Sequence, residues 1–195
     1  MRFSDIIGEH NVVPNQTFPP PTLNNITPIG KISIKNGDVL DIYEKNGHNT
    51  TQIIAVSSNK ILGFVTFVYV PHRQNLVMAK NAQSYISGQN LLLNLFIFIK
   101  KQYNLRILSD IDMSLAGEAA WKSIVNNPRI NGKIYNFDND KIYDLTDPNA
   151  IKPENDKNQN SESSNWFYII EAKEKSNKFG DTLSYNKLLL PYYYD

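Results

Sequence analysis

Strand-like and helix-like patterns alternate over residues 75–125, which read NLVMAKNAQSYISGQNLLLNLFIFIKKQYNLRILSDIDMSLAGEAAWKSIV. Residues 75–86 predict a strand, and the apolar side chains of residues 88–103 nearly surround a helical axis. A helix that is apolar on most sides is expected to be buried against a sheet. Residues 105–108 predict a short buried strand, and Ser114 is suited to cap the helix that follows it. The stretch therefore predicts a strand–helix–strand–helix unit.

Strand patterns extend on both sides of this unit. Two alternating runs, 31–35 and 39–43, flank Asn36-Gly37, a dipeptide that suits the positive φ angles of a tight hairpin turn. Runs rich in β-branched and aromatic residues predict further strands at 50–58, 60–71 and 165–174, and a hairpin at 133–145. The expected fold class is therefore α/β (α+β), with a mixed, mainly antiparallel sheet and two principal helices.

The two ends of the chain differ from its middle in composition. Residues 1–28 are rich in proline, which removes backbone donors and favours an extended polyproline II conformation. Residues 147–165 hold almost no apolar side chain and predict a polar linker. We therefore expect an N-terminal arm (1–28), a central domain (29–146), a linker (147–165), and a further strand with an aromatic C-terminal tail (166–195).

Charge and cysteine content exclude several functional classes. The 20 Lys and Arg nearly balance the 19 Asp and Glu, so there is no strong nucleic-acid signal. The absence of cysteine excludes disulfides, thiolate nucleophiles and cysteine-ligated metals, and the three His have no metal-ligand spacing. No G-x-S-x-G, Walker A or H-E-x-x-H motif occurs. We expect no metal site.

Neither a membrane span nor a secretion signal is expected. The longest apolar run is about half the length that crosses a bilayer. The N-terminus lacks the long apolar stretch and the cleavage site of a signal peptide. We expect the protein in the cytoplasm in which it is made.

One segment, ILSDIDMSLAGEAAWKSI (107–124), has a Ser-Asp pair before a helix with Ser, a small residue and Trp. Together with the order of strands and helices, it resembles the GNAT-type N-acetyltransferase-like proteins that tailed bacteriophages encode. The resemblance covers roughly residues 30–145. It implies a GNAT-like fold and, in an active member, an acetyl-CoA site.

In this family a loop of the form [QR]-x-x-G-x-[GA] holds the cofactor pyrophosphate with its backbone N–H groups. The resemblance places Ser87, Gly88, Gln89 and Asn90 in this loop. Only Gly88 agrees with the pattern, because Tyr85 and Asn90 stand where Gln or Arg and Gly or Ala are expected. A side chain at Asn90 would crowd the approach of phosphate to the backbone. The alternative interpretation is an ordinary strand-to-helix turn.

The resemblance also bears on proton transfer. A family tyrosine that protonates the departing thiolate corresponds to Trp121, whose indole N–H has no usable acidity. Trp121 is therefore expected to pack in the core. Among Asp110, Asp112 and Glu118, the best candidate for a catalytic base is Asp110, because it follows a buried strand. The alternative role of Asp110 is to cap a turn or a helix.

These departures predict a degenerate GNAT-like phage protein that acts in protein–protein assembly as a virion component, without a cofactor. The expected partners are other phage or virion proteins, or further copies of the chain. Extended and aromatic residues suit such contacts, and the predicted contact residues are Pro19, Pro20, Pro21, Tyr192, Tyr193 and Tyr194. The alternative is a CoA-dependent N-acetyltransferase that uses acetyl-CoA and acts on a host protein, a nucleobase or a small amine. A third class, an inhibitor of a host protein, stays open.

Overall fold

The computed structural model describes residues 23, 26–71, 73, 75–110, 113–154 and 165–171. Over these residues the chain forms nine strands and two helices. In chain order the elements are β1 (Pro28–Ser33), β2 (Val39–Asn46), β3 (Thr50–Ser57), β4 (Lys60–Tyr69), β5 (Leu76–Ser84), α1 (Leu91–Tyr103), β6 (Arg106–Leu108), α2 (Leu115–Val125), β7 (Gly132–Asn136), β8 (Lys141–Tyr143) and β9 (Trp166–Ile170).

All of these strands join one sheet in the order β1-β2-β3-β4-β5-β6-β9-β7-β8. Neighbouring strands are antiparallel except β5 and β6, which are parallel and connected through α1. The predicted mixed, mainly antiparallel sheet with two helices is confirmed at this level. The hairpin at Asn36-Gly37 also forms, and Gly37 adopts the positive φ of 93° that the turn requires.

The position of β9 was not predicted from the sequence. Although β9 is the last strand of the described chain, it lies between β6 and β7 and pairs antiparallel with both. All five of its residues are buried. Before β9, Leu145 and Ala150 pack against the main core, and Pro153 is buried. Part of the predicted linker therefore lies against the sheet and helices.

The sheet has two apolar faces. We call the first the helix face, because α1 and α2 both pack on it. Its core includes Ile53, Val65, Val77, Ile107, Ile134 and Tyr168 from the strands. We call the other side the second face. Its buried residues form two clusters, which are Val70, Leu76, Met78, Leu108, Tyr135, Phe137, Phe167 and Ile169, and Ile54, Val56 and Phe64.

Both predicted helices form, with one difference at the start of α1. The helix begins at Leu91 rather than at Gly88, because Gly88 and Asn90 have positive φ angles of 68° and 55°. Left-handed residues do not continue a right-handed helix. In α2 the predicted cap is confirmed: the Ser114 hydroxyl accepts a hydrogen bond from the Gly117 N–H at 3.1 Å.

Some predicted features lie outside the described residues. These are Asp112, most of the N-terminal arm with Pro19, Pro20 and Pro21, residues 155–164 of the linker, and the C-terminal tail with Tyr192, Tyr193 and Tyr194. Of the two helices in the described chain, neither is long and apolar enough to cross a membrane.

Candidate functional site

The sheet opens where β5 and β6 stop pairing. The two strands are in register only as far as Met78 with Leu108, whereas β5 continues to Ser84. On its other side, β5 is irregular near the same level. Asn81 and Ala79 pair with consecutive residues of β4, so Lys80 is the extra residue of a β-bulge. A β-bulge changes the direction in which a side chain points, and bulges are frequent beside functional sites.

Lys80 and Asp110 meet across this opening. Lys80 lies two residues beyond Met78, and Asp110 lies two residues beyond Leu108, where the pairing of β5 with β6 ends. The Lys80 Nζ lies 2.8 Å from the Asp110 Oδ1. Their side chains are only 18% and 15% exposed. Asp110, the predicted base, is thus held by a cation in a partly buried ion pair. Protonation of Asp110 would break this pair, which disfavours its use as a base.

Lys80 is the site residue that sequence reasoning missed. It is a cation that follows the apolar start of a strand, LVMA, and Asp110 follows the next strand. Two parallel strands joined by one helix place their carboxyl ends at the same edge of a sheet. An isolated charged residue after the apolar part of each strand is a signal from which the contact between Lys80 and Asp110 could have been predicted.

The predicted cofactor loop follows β5, and its residues make contacts within the fold. The Gln89 carbonyl accepts a hydrogen bond from the Lys35 N–H at 3.3 Å, and its side-chain Oε1 accepts one from the Asn36 N–H at 3.1 Å. Gln89 therefore holds the β1–β2 hairpin. Asn90 is left-handed and makes no side-chain capping bond to α1. A Cβ added at Gly88 would meet open space.

A surface depression lies between this loop and α2. Its volume is about 330 Å³, and its lining includes Ser87, Gly88, Gln89, Asn90, Ala120 and Ser123. The structure thus brings the four predicted loop residues to one depression. The N–H groups at the start of a helix are of the kind that bind anions. Among the described residues that line the depression, however, none is a lysine or arginine that could neutralise a pyrophosphate.

Trp121 of α2 lies in the core, where the sequence predicted it. It is 5% exposed, and its ring centroid is 5.1 Å from that of Phe96 in α1. Trp121 therefore joins the two helices over the sheet. One turn earlier, Glu118 is buried and forms an ion pair with Lys122. The Glu118 carboxylate, like that of Asp110, is thus already bound to a cation.

Tyr168 of β9 is a second residue that sequence reasoning did not select. Burial, and then the nearby charges of Glu118 and Glu154, raise the pKa of Tyr168 to about 12. Its backbone N–H donates to the Ser109 hydroxyl at 3.2 Å, directly after β6. At neutral pH Tyr168 keeps its proton. It can donate a hydrogen bond, but it is a weak acid.

A separate polar cluster lies at the far end of α1. The Tyr103 hydroxyl donates to the Glu44 Oε2 at 2.6 Å, and burial together with this bond raises the pKa of Tyr103. Burial also raises the pKa of Tyr69. The adjoining cavity is apolar and only about 10 Å³, which is at the lower limit for one water molecule. This cluster ties α1 to the sheet rather than forming a binding site.

No protein-family model matches the chain, and neither a curated protein nor a solved structure matches it. Over the part of the chain that the structure describes, no group of three or more His, Asp or Glu side chains could hold a metal ion. The candidate site is therefore defined by three features. These are the opening beside β5, the Lys80–Asp110 ion pair and the loop of residues 87–90.

Proposed function

We propose that this chain is a GNAT-like protein of the type encoded by tailed bacteriophages, in which the cofactor site is degenerate and the role is assembly, as a virion component. The observation that carries the proposal is the Lys80–Asp110 ion pair. It lies across the opening between β5 and β6, where catalysis would need an available carboxylate. A carboxylate that is already paired and mostly buried is suited to holding two strands together.

The loop and α2 support the same conclusion. Gln89 is bonded to the β1–β2 hairpin, and Asn90 keeps a side chain where the family pattern has glycine or alanine. By the resemblance, Trp121 stands at the position of the family's acidic tyrosine, and it packs on Phe96. Gln89 thus connects the loop to the hairpin, and the packing of Trp121 supports a structural role in place of proton transfer. The order of strands and helices is the support for a GNAT-like arrangement.

The assembly role is assigned to the two ends of the chain. Three leucines, 188–190, precede Pro191 and three tyrosines in the C-terminal tail. Aromatic side chains are frequent anchors at protein interfaces. The partners are other virion proteins or further copies of the chain. Contacts are assigned to Tyr192, Tyr193 and Tyr194 and to Pro19, Pro20 and Pro21.

A calorimetric titration with acetyl-CoA tests the degenerate site. We expect no binding or weak binding, because no cation lines the depression over the described residues and Asn90 has a side chain where the family pattern has glycine or alanine. A dissociation constant in the low micromolar range, about −8 kcal/mol, would contradict the proposal. Desulfo-CoA is a useful control, since it retains the pyrophosphate and separates loop binding from thioester recognition.

A deletion tests the assembly role separately. Removing residues 187–195 is expected to abolish association with the partner or with further copies, because it removes the aromatic anchors. The far-ultraviolet circular dichroism spectrum and the unfolding midpoint should stay unchanged. Association that persists after the deletion, measured by light scattering or copurification, would contradict the assignment of the C-terminal tail.

The alternative function is a CoA-dependent N-acetyltransferase that acts on a host protein, a nucleobase or a small amine. One observation favours it: the depression of about 330 Å³ beside residues 87–90 lies at the start of α1, where an anion could bind. Transfer of labelled acetyl groups from acetyl-CoA to a host lysate tests this alternative. Under it, Asp110→Asn should abolish transfer, whereas the assembly role requires no transfer at all.

A further inference from the structure

The chain contains three Asn-Gly dipeptides, at residues 36–37, 46–47 and 131–132. Asparagine is one of the thermolabile residues of proteins. Before glycine it is especially so, because the glycine nitrogen can attack the asparagine side-chain carbonyl with no Cβ to hinder the approach. All three asparagines are exposed. Access to water therefore does not distinguish the three positions, whereas their hydrogen bonds do.

The reacting groups of Asn36 and Gly37 are held by the β1–β2 turn. The Asn36 Nδ2 donates to the Asp38 Oδ2 at 2.7 Å, and its Oδ1 accepts a hydrogen bond from the Asp38 N–H at 3.0 Å. The Gly37 N–H donates to the Ile34 carbonyl, also at 3.0 Å. The nitrogen that would attack and the amide that it would attack are thus both bonded. A reaction at this position requires these bonds to break.

The second dipeptide is held in a similar way at the β2–β3 turn. The Asn46 Nδ2 donates to the Glu44 Oε1 at 3.0 Å, and its Oδ1 accepts a hydrogen bond from the Thr51 hydroxyl at 2.8 Å. The Gly47 N–H donates to the Thr50 carbonyl at 2.8 Å. Both turns therefore restrain the asparagine side chain and the glycine nitrogen together.

The third dipeptide lacks these restraints. The Asn131 carbonyl accepts a hydrogen bond from the Glu171 N–H at 3.1 Å, so the backbone groups of Asn131 point toward β9. Those of Gly132 point to the opposite edge of β7, because bonded residues alternate along an antiparallel strand. On that edge, β8 is paired only as far as Tyr143 with Ile134. Over the described residues, no hydrogen bond involves the Gly132 N–H or the Asn131 side chain.

We propose that Asn131 is a site of spontaneous modification, at which the side-chain amide is converted to aspartate and isoaspartate. The Gly132 nitrogen forms a bond to the Asn131 Cγ, and the bond from Cγ to Nδ2 breaks. The amide nitrogen leaves as ammonia with the hydrogen that the Gly132 N–H gives up, and a succinimide ring closes. Water then opens the ring at either carbonyl, which gives aspartate or isoaspartate. The reaction needs only these two residues and water.

The modification acts on the pairing of β7 with β9. Gly132 is paired with Ile170, so Asn131 lies opposite Glu171. A carboxylate at residue 131 then faces a like charge, which is unfavourable between paired strands. Isoaspartate also adds one carbon to the backbone, and Gly132 has little room to shift, because a Cβ added there would collide with the Val125 carbonyl oxygen. We therefore expect the modification to loosen the end of β9.

Peptide mapping by mass spectrometry tests the proposal on the full-length chain. Conversion at each of the three asparagines is followed in mildly alkaline buffer, both in the native state and in concentrated urea. The rate in urea corrects for the sequence around each asparagine. The ratio of the native rate to the urea rate should be about tenfold or more higher at Asn131 than at Asn36 and Asn46, because their bonds must break first. Equal ratios, or no conversion of Asn131 in the native state, would overturn the proposal.

Hydrogen exchange gives a second test with a matched pair of variants. After incubation, the Glu171 amide hydrogen should exchange faster than in fresh protein, because its bond to the Asn131 carbonyl is weakened. Asn131→Gln should prevent this change, since the longer side chain would have to close a larger ring, whereas Asn36→Gln should not prevent it. Equal acceleration in the two variants would overturn the assignment to Asn131. Neither readout depends on acetyl-CoA or on assembly.

Discussion

Lys80 and Asp110 form a partly buried ion pair between their side chains. The pair is part of neither the β5–β6 backbone pairing nor a helix cap. Their charges meet just beyond the last paired residues of β5 and β6, at 2.8 Å. Removing one partner of such a pair leaves the other charge without compensation in a poorly solvated place. The loss of either partner alone is therefore expected to cost more than the loss of one partner of an ion pair on the open surface of a sheet.

The first prediction concerns this ion pair. Lys80→Met and Asp110→Leu, made singly, should each lower the free energy of unfolding by about 2–4 kcal/mol, measured by urea denaturation. The double variant should lose clearly less than the sum of the two, because no unpaired charge remains. Strictly additive losses would show that the two side chains do not stabilise each other.

The second prediction concerns Trp121, which is 5% exposed between the helices. Trp121→Ala should lower the free energy of unfolding by about 3–5 kcal/mol, because a large buried ring is lost and a cavity is left. Leu115→Ala on the same helix is the control, since Leu115 is 61% exposed. Its effect should be within about 0.5 kcal/mol. Equal losses in the two variants would contradict a core role for Trp121.

The sequence predicted parts of the candidate site to different degrees. Ser87 to Asn90 and Asp110 were selected as single positions. The structure brings Ser87 to Asn90 to one depression, and it brings Asp110 to the edge of β5. The Lys80–Asp110 pair was missed, because it depends on which strands are neighbours. A local pattern shows that a strand is buried, but it does not show its partner.

Among the elements, the start of α1 departs most from its pattern. The apolar period continues back to Gly88, but two left-handed residues delay the helix to Leu91. Asn90 tolerates this conformation because a short polar side chain reduces its cost. The sequence predicted the existence of every described helix and strand, whereas this boundary and the place of β9 depend on backbone conformation and long-range pairing.

The third prediction tests the conformation at Asn90. Asn90→Ala should lower the free energy of unfolding by about 1 kcal/mol, because alanine is unfavourable at a φ of 55° and the asparagine side chain makes no capping bond. Asn90→Gly should be neutral or stabilising at the same position. Thermal denaturation of the two variants checks the order. A glycine variant less stable than the alanine variant would contradict the left-handed conformation at this residue.

For the whole molecule, buried and half-buried tyrosines set the response to alkaline pH. Burial raises the pKa values of Tyr69, Tyr103, Tyr135 and Tyr168 in the fold. In the unfolded chain each should ionise near its ordinary pKa of about 10. Above that pH the folded chain binds more protons than the unfolded chain, so the free energy of unfolding falls as pH rises.

The fourth prediction follows from these four tyrosines. The unfolding midpoint in urea should start to fall at about pH 10 and continue to fall toward about pH 12. Tyr168→Phe should make this fall less steep, since the pKa of Tyr168 in the fold is about 12. Ultraviolet absorbance of tyrosinate at each pH gives the ionisation directly. A midpoint that stays level across this pH range would contradict the raised pKa values.

The place of β9 also affects how the chain reaches its fold on the ribosome. β6 and β7 emerge first. The edge of each strand that pairs with β9 stays unpaired until residues 166–170 have been synthesised. During that interval the nascent chain exposes two open strand edges beside apolar side chains, which is a hazard for aggregation. Chains that stop translation at residue 165 should therefore accumulate in inclusion bodies or recruit chaperones. The sheet is completed from its centre, by a strand that is synthesised after all of its neighbours.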